Sequence, residues 1–321
     1  MAVYRDHPQH ASLRLHGERL LLISPHPDDE VLAAAGLLQQ ACSQGRQVHI
    51  WQFSDGETNP WPQRVQERRL RIRAIDRARW GARRNNEARA GLAELQVPEV
   101  VLECLHWEDM GLNARIRTRL DESVRLLAQR LQALRPHVLV MPSLADRHPD
   151  HSATHVLMGL ALYRAGLLPQ VLGYTLHGTA KETPSAFTVR LDARMREAKR
   201  AAIMQHRSQM VFGQQRMLVH VRERETFMPV VTATACGPSV HIPWPMHRTM
   251  AGMVRLILAS PTRSWTWRGS DAPLSWDRKD MTLHLPQAAI DAGPLYLRME
   301  CPWRSAWIFD RWGWAPLTTA K

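Results

Sequence analysis

The sequence predicts an α/β fold: a Rossmann-like, mostly parallel sheet with helices on both faces, followed by a small β-rich C-terminal region. Three observations carry that expectation. Short apolar runs alternate with longer helical stretches through the first 210 or so residues, the pattern of strand–helix–strand units. The first of these runs, at 20–23, is unbroken Leu-Leu-Leu-Ile and reads as a buried strand. After Phe212 the texture changes to short apolar stretches punctuated by proline and glycine, which suits a β-rich appendage.

Each element has its own signal. Residues up to Glu18 are polar and read as an arm, and 19–24 form the first strand. A polar turn, Ser24-Pro25-His26-Pro27-Asp28-Asp29-Glu30, leads into a helix over 29–42 that Gly45 can terminate. Residues 47–53 supply the second strand, which ends at Ser54-Asp55-Gly56-Glu57. One long helical region is expected over 63–95 and a third strand over 97–105. A helix over 115–134 is closed by Arg135-Pro136, and 137–142 is the fourth strand. A helix over 150–164 ends at Gly166; strands at 170–176 and 187–191 and a helix at 193–205 follow. Beyond Phe212, 217–221 and 227–234 read as strands and 237–245 as a proline-rich linker. The expected division is one domain over 1–212 and a tryptophan-rich extension over 213–321, able to pack on it. No GxGxxG follows the first strand, which argues against dinucleotide binding.

Composition narrows the class. The chain has 321 residues, 45% of them hydrophobic and 22% charged, as folded proteins do. No apolar run approaches the ~18–20 residues of a membrane span. The N-terminus lacks the apolar core of a signal peptide. The cysteines, Cys42, Cys104, Cys236 and Cys301, are scattered and form no CxxC, so neither a disulfide framework nor a cysteine-rich zinc module is indicated. The expectation is a cytoplasmic protein with reduced thiols.

The formal charge of +12 is concentrated between Gln63 and Arg89, where ten arginines meet only Glu67, Asp76 and Glu87. Such a stretch is either a solvated face or a site for an anionic glycan, a lipid-linked substrate or nucleic acid, and no dedicated nucleic-acid motif accompanies it. Eight of the twelve tryptophans lie between Trp244 and Trp314. Trp265 with Trp267, and Trp312 with Trp314, would share a strand face, as a compact core or as a platform for sugars.

His26, Asp28 and Asp29 could hold and serve a metal, because neutral imidazole and carboxylate oxygen both suit Zn²⁺. One carboxylate can bind the ion while the other takes a proton from the reacting water. On spacing alone, the same residues could be an aspartate helix cap beside a surface histidine. A second cluster, from Arg147 through His148-Pro149-Asp150-His151 to His155, repeats His-Pro-Asp at another strand-to-helix turn. In a parallel sheet both turns lie along one edge and can converge. His26, Asp29 and one histidine of the second cluster would make three ligands with an open water position. The other histidine could stabilise an oxyanion or act as general acid. His155, one helical turn beyond His151, reads as a helix-face residue.

Pro25-His26-Pro27-Asp28-Asp29-Glu30 together with His148-Pro149-Asp150-His151 resembles the LmbE-like, or PIG-L, family of zinc-dependent de-N-acetylases. Weaker matches are Ser54-Asp55-Gly56-Glu57, the segment from Glu87 to Leu95, Asp109-Met110-Gly111-Leu112, and Lys199 to Gln209; the likeness covers roughly residues 19–212. The resemblance implies that His26, Asp29 and His151 bind Zn²⁺ and that Asp28 is the general base. It implies that His148 polarises the acetyl carbonyl and that Asp150 orients a neighbouring histidine. Asp55, Glu57, Arg68 and Asp109 become candidate sugar contacts. The implied reaction is hydrolysis of the N-acetyl group of an N-acetylglucosamine-type sugar on a larger glycoconjugate, anionic or lipid-linked among the choices. The alternatives are a related amidase acting on another N-acyl group and a non-catalytic glycan-binding accessory protein. The sequence departs from the family in its arginine-rich helix, in Leu95-Gln96 where Leu-Gly is expected, and in the tryptophan-rich extension.

Overall fold

The computed structural model describes residues 11–178, 186–230, 237–244, 248–277, 280–301 and 312–317. The chain divides into two compact units. The first comprises Met1–His106, Pro136–Met141 and Gln170–Val230, and the second Trp107–Arg135, Pro142–Pro169 and Val231–Lys321. Their elements, in chain order, begin with β1 (Ala11–Ser12), β2 (Arg19–Ser24), α1 (Asp29–Ser43), β3 (Gln47–Ser54), α2 (Pro60–Glu67), α3 (Ala74–Glu94), β4 (Val101–Trp107) and α4 (Leu112–Leu134). There follow β5 (Val138–Pro142), α5 (Pro149–Ala165), β6 (Gln170–Tyr174), β7 (Phe187–Arg190), α6 (Ala193–Gln205), α7 (Gln214–Leu218) and β8 (Arg224–Pro229). The C-terminal elements are β9 (Ser239–His241), β10 (Arg255–Ala259), β11 (Ser264–Arg268), β12 (Leu274–Asp277), β13 (Asp280–His284), α8 (Gln287–Ile290), β14 (Leu295–Glu300) and β15 (Trp314–Leu317).

The first unit is built on a sheet of order β1-β7-β8-β6-β5-β2-β3-β4. At its centre β2 runs parallel to β3 (Leu20↔Val48 to Ser24↔Gln52) and to β5 (Leu20↔Val138, Leu22↔Val140). β8 is antiparallel to both β6 and β7. Leu20, Leu21, Leu22 and Ile23 are all fully buried, which explains their unbroken apolar run: both faces of β2 are covered. Val31, Leu37 and Leu38 of α1, Leu92 of α3 and Ala202 and Ile203 of α6 join the same core. Truncating one such leucine to alanine costs about 2–5 kcal/mol. The fold class is the expected one, a mostly parallel sheet flanked by helices, with antiparallel strands C-terminal to it.

Two expectations about elements are corrected. The single helix over 63–95 is two helices. Arg68, at φ 52°, closes α2, and the Asp76 carboxylate accepts from Arg73 N (3.0 Å) to start α3. The strand expected at 217–221 is instead the end of α7 and a turn, because Gln214 to Leu218 are good helix formers entered from Gly213. The next strand starts at Arg224, and the part of the expectation at 231–234, like Cys236, lies outside the described residues. Much of the arginine-rich run is a solvated face with local partners: Arg69 and Arg79 reach Asp76, and Arg83 reaches Glu87.

The second unit holds α4 and α5 and two antiparallel sheets, β11-β10-β14-β15 and β12-β13-β9. Val240, Leu256, Leu258, Leu283 and Leu297 are among its core residues. Trp244, Trp265, Trp267, Trp276 and Trp312 pack half-buried against that core. Trp314 is buried, and its indole N–H donates to Asn113 Oδ1 at 2.7 Å. These tryptophans thus pack on this core with one side, and Trp303 and Trp307 lie outside the described residues.

Candidate active site

The first polar turn follows β2. Ser54 of β3 pins it, donating from N and Oγ to Pro25 O at 3.0 and 2.9 Å. Asp29 Oδ2 accepts from His26 N at 2.9 Å and lies 3.2 Å from His26 Nδ1, so these two side chains face each other. Both are buried, at 6% exposure for His26 and 2% for Asp29.

Asp28 stands at the N-cap position of α1 with φ 133° and makes no side-chain cap hydrogen bond. A non-glycine residue in that conformation costs about 1–3 kcal/mol. The ordinary-cap reading is thereby excluded, because the carboxylate is turned elsewhere: Asp28 Oδ2 lies 3.2 Å from Arg84 Nη2. Glu30 is fully buried, and burial, aided by the neighbouring Asp28 charge, raises its carboxyl to about 7. Ser24 Oγ lies 2.8 Å from Glu30 Oε2 and 2.7 Å from His26 O. Its one proton can serve only one of these acceptors.

Arg84 is the residue that sequence reasoning missed. It is 5% exposed, and it donates to Gly56 O (2.7 Å) and Pro27 O (2.9 Å) as well as to Asp28. Gly56, at φ 64°, has no space for a side chain, since a Cβ would overlap the Arg84 guanidinium. The signal was present in the run: Arg84 lies four residues after buried Trp80 and four before buried Ala88, on the inward stripe of α3. Arg68, the arginine chosen from sequence, is exposed at the end of α2.

Behind the turn, the buried Lys199 bonds Glu225 (2.8 Å) and Leu32 O (2.9 Å), and Glu225 accepts from Gly36 N and Leu37 N. This clamp fixes α1 against α6 and β8. His206 is fully buried, and neither ring nitrogen has a hydrogen-bond partner among the described residues. Burial, helped by the Arg84 charge, pushes it down to about 3, so its ring is neutral.

After β3, Asp55 accepts from Asn85 Nδ2 (2.7 Å), Cys104 Sγ (3.1 Å) and His106 Nδ1 (2.9 Å). Burial would raise its carboxyl, but these hydrogen bonds outweigh burial and hold it below the usual carboxylate range. Glu57 follows on the same turn, half-buried.

The second polar turn belongs to the second unit. His148 is the N-cap of α5 and Pro149 opens the helix. His148 Nδ1 accepts from Asp150 N at 3.3 Å, which leaves Nε2 to carry the proton of the neutral ring. Asp146 bridges the two histidines: Oδ1 accepts from His148 N (2.9 Å), and Oδ2 lies 3.2 Å from His151 Nδ1. His151 is fully buried. The carboxylate beside His151 is thus Asp146, two residues before His148, which the sequence reading did not single out. Asp150, expected to orient a histidine, accepts from Met110 N (2.7 Å) and Leu112 N (3.3 Å), tying down the turn that carries buried Asp109. His155 Nδ1 lies 2.9 Å from Pro142 O, and burial lowers its pKa to about 4, as suits a helix-face residue.

Comparison with known proteins identifies the class. Residues 21–162 match the PIG-L family profile, described as GlcNAc-PI de-N-acetylase. A 1D-myo-inositol 2-acetamido-2-deoxy-alpha-D-glucopyranoside deacetylase of Mycolicibacterium smegmatis is 33% identical over 171 residues, 49% of this chain and 57% of the relative. The deacetylase of that name from Mycolicibacterium vanbaalenii is 34% identical over 155 residues, 43% of this chain and 51% of the relative. The chain thus spans about half the length of the curated relatives it matches. Among solved structures, a triple mutant of the deacetylase of teicoplanin biosynthesis superposes with TM-score 0.53 at 24% identity, covering 66% of this chain and 98% of that one. A conserved protein from Thermus thermophilus has TM-score 0.50 at 25% identity, covering 71% and 99%.

Proposed function

We propose that the chain is a zinc-dependent hydrolase that removes the N-acetyl group from an N-acetylglucosamine-type sugar on a larger glycoconjugate. One observation carries this reading: β2 and β5 are neighbouring parallel strands, so the chain leaves both toward its two His-Pro-Asp turns from the same sheet edge. The donor set suits a divalent cation of zinc type, with buried imidazoles, buried carboxylates and the Asp146 carboxylate beside His151 Nδ1. In this reading His26, Asp29 and His151 hold the ion. Bound there, it would supply Lewis-acid polarisation and lower the pKa of water.

The remaining steps fall to the chain's own residues. Asp28, steadied by Arg84, accepts the proton of the attacking water. His148 offers its Nε2–H to the developing oxyanion on the acetyl oxygen. The proton then returns to the departing amine from Asp28 or a histidine, giving acetate and a free amino sugar. Asp150 orients a neighbouring histidine and also fixes the Asp109 turn, and Glu57, Arg68 and Asp109 are proposed sugar contacts. The relatives, named as deacetylases of an N-acetylglucosaminyl inositol, support this substrate class. Residues 1–212 form the catalytic domain in this reading and 213–321 an extension of it, in a cytoplasmic protein.

The test is a mass-spectrometric screen of free N-acetylglucosamine, its inositol conjugate, a lipid-linked form and a nucleotide sugar, each with added Zn²⁺. Loss of one acetyl group from at least one conjugate is expected, absent with Asp28→Asn. Acetate release that Asp28→Asn leaves undiminished would remove Asp28 from the base role.

A further inference from the structure

We propose that Asp55, Cys104 and His106 form a second cation site, of thiolate–imidazole–carboxylate type and suited to Zn²⁺, distinct from the His26, Asp29 and His151 set. The placement follows from strand geometry. β4 is the edge strand beside β3. Cys104 and His106 are two apart on β4, and both side chains reach Asp55. Asp55 arrives on the residue after β3 ends. Cys104 Sγ lies 3.1 Å from Asp55 Oδ1, His106 Nδ1 lies 2.9 Å from it, and all three donor atoms fall within 4.8 Å of one another.

Those separations match a common ion. With Zn–N near 2.0–2.1 Å and Zn–S near 2.3 Å, the edges of a tetrahedral site are roughly 3.3–3.7 Å. The two edges that meet at Asp55 Oδ1, 3.1 Å to Cys104 and 2.9 Å to His106, are within a few tenths of an ångström of those lengths. Sulfur and imidazole together select Zn²⁺ over Mg²⁺ or Ca²⁺. The donors are held from outside as well. Asn85 of α3 donates to Asp55 Oδ1, and Gln52 Nε2 reaches both Asn85 Oδ1 (2.6 Å) and Cys104 Sγ (3.3 Å). Such supporting contacts orient ligands in metal sites.

Access and charge are suitable too. The His106 side chain is 65% exposed, so an ion can enter from solvent, while Cys104 and Asp55 are half-buried beneath it. His106 sits at φ 54°, a left-handed conformation tolerated by histidine but easiest for glycine. On binding, the Cys104 S–H bond breaks, its proton passes to solvent and the sulfur bonds the ion. Asp55 then belongs to this ion and not to the sugar.

Co²⁺ tests the site without recourse to activity. The full chain, stripped of metal and titrated with Co²⁺, should develop a near-ultraviolet thiolate-to-cobalt charge-transfer band. The His26, Asp29 and His151 set holds no sulfur and cannot produce it. The band should persist in His26→Ala and vanish in Cys104→Ser. In His106→Gly, which keeps the backbone conformation at no steric cost, it should vanish or need about tenfold or more Co²⁺, in line with the penalty for disturbing a metal site. Circular dichroism confirms that each variant is folded. A wild-type chain without the band at saturating Co²⁺, or a band that survives Cys104→Ser, overturns the proposal.

Discussion

Asp28 and Asp29 are neighbours in sequence, yet their carboxylates face different partners. Asp29 turns to His26, whereas Asp28 turns to Arg84 at 3.2 Å. The contrast assigns a distinct test to each side of the pair. Asp28→Asn should retain bound zinc and lose about 10²–10⁴-fold in kcat, the usual worth of a positioned base. Metal analysis beside turnover checks it, and loss of the metal would place Asp28 among the ligands. Arg84→Met should lower kcat on the order of tenfold through misplacement of Asp28. Its metal content should be normal, and Arg84→Lys should restore part of the loss. Turnover equal to wild type in Arg84→Met would make that contact merely structural. The histidines and aspartates of both turns were legible because each motif is local, packed into a few residues at the end of an apolar run. Arg84 and Asp146 were not, because what marks them is a partner seen only in three dimensions: Asp28, 56 residues away, and His151, across a turn.

At the level of elements, the clamp behind the first turn is the most exposed to a single change. Lys199 and Glu225 have side chains only 1% and 4% exposed, so neither charge has water as an alternative partner. Lys199→Met leaves Glu225 buried with only the N–H groups of Gly36 and Leu37, and should cost about 3–5 kcal/mol in urea unfolding. A loss under 1 kcal/mol would mean that water reaches Glu225. Strands and helices around this clamp were readable where burial dictates pattern, as in β2 and in the apolar face of α1. They were misread where a single residue breaks the chain. Arg68 in the left-handed region and Asp76 at the head of α3 split a stretch whose composition is helical throughout. Nothing in the hydrophobic period records such a break, because the residues on either side keep good helix propensity.

Over the whole molecule, acid response follows from which ionisable groups are buried. His155, His206 and His220 are held neutral by burial, at about 4, about 3 and about 4 against an ordinary 6.5. Between roughly pH 4 and 6.5 the unfolded chain binds protons that the folded chain refuses, so stability rises with pH there. Glu30 works in the opposite sense. Its carboxyl stands at about 7 against 4.5, so the fold keeps a proton that the unfolded chain releases, and that contribution is lost as pH rises from 4.5 through 7. From pH 4.5 to 6.5 three histidines oppose one glutamate, leaving a net of two protons and a slope of about 2.7 kcal/mol per pH unit. Below pH 4.5 Glu30 no longer opposes, and the slope steepens until His155 and His220 titrate near 4. Above 6.5 only Glu30 remains, so stability passes through a maximum near pH 6.5. Asp55 and Asp76, both lowered from 3.8, add to acid sensitivity only below that value. Urea unfolding of the chelator-treated chain at half-unit pH steps measures this profile, free of protons displaced by metal. His155→Gln removes one of the three refusing histidines and should roughly halve the slope between pH 4.5 and 6.5, to about 1.4 kcal/mol per pH unit. A wild-type profile already flat across that segment would show that the buried histidines take up protons without unfolding the chain.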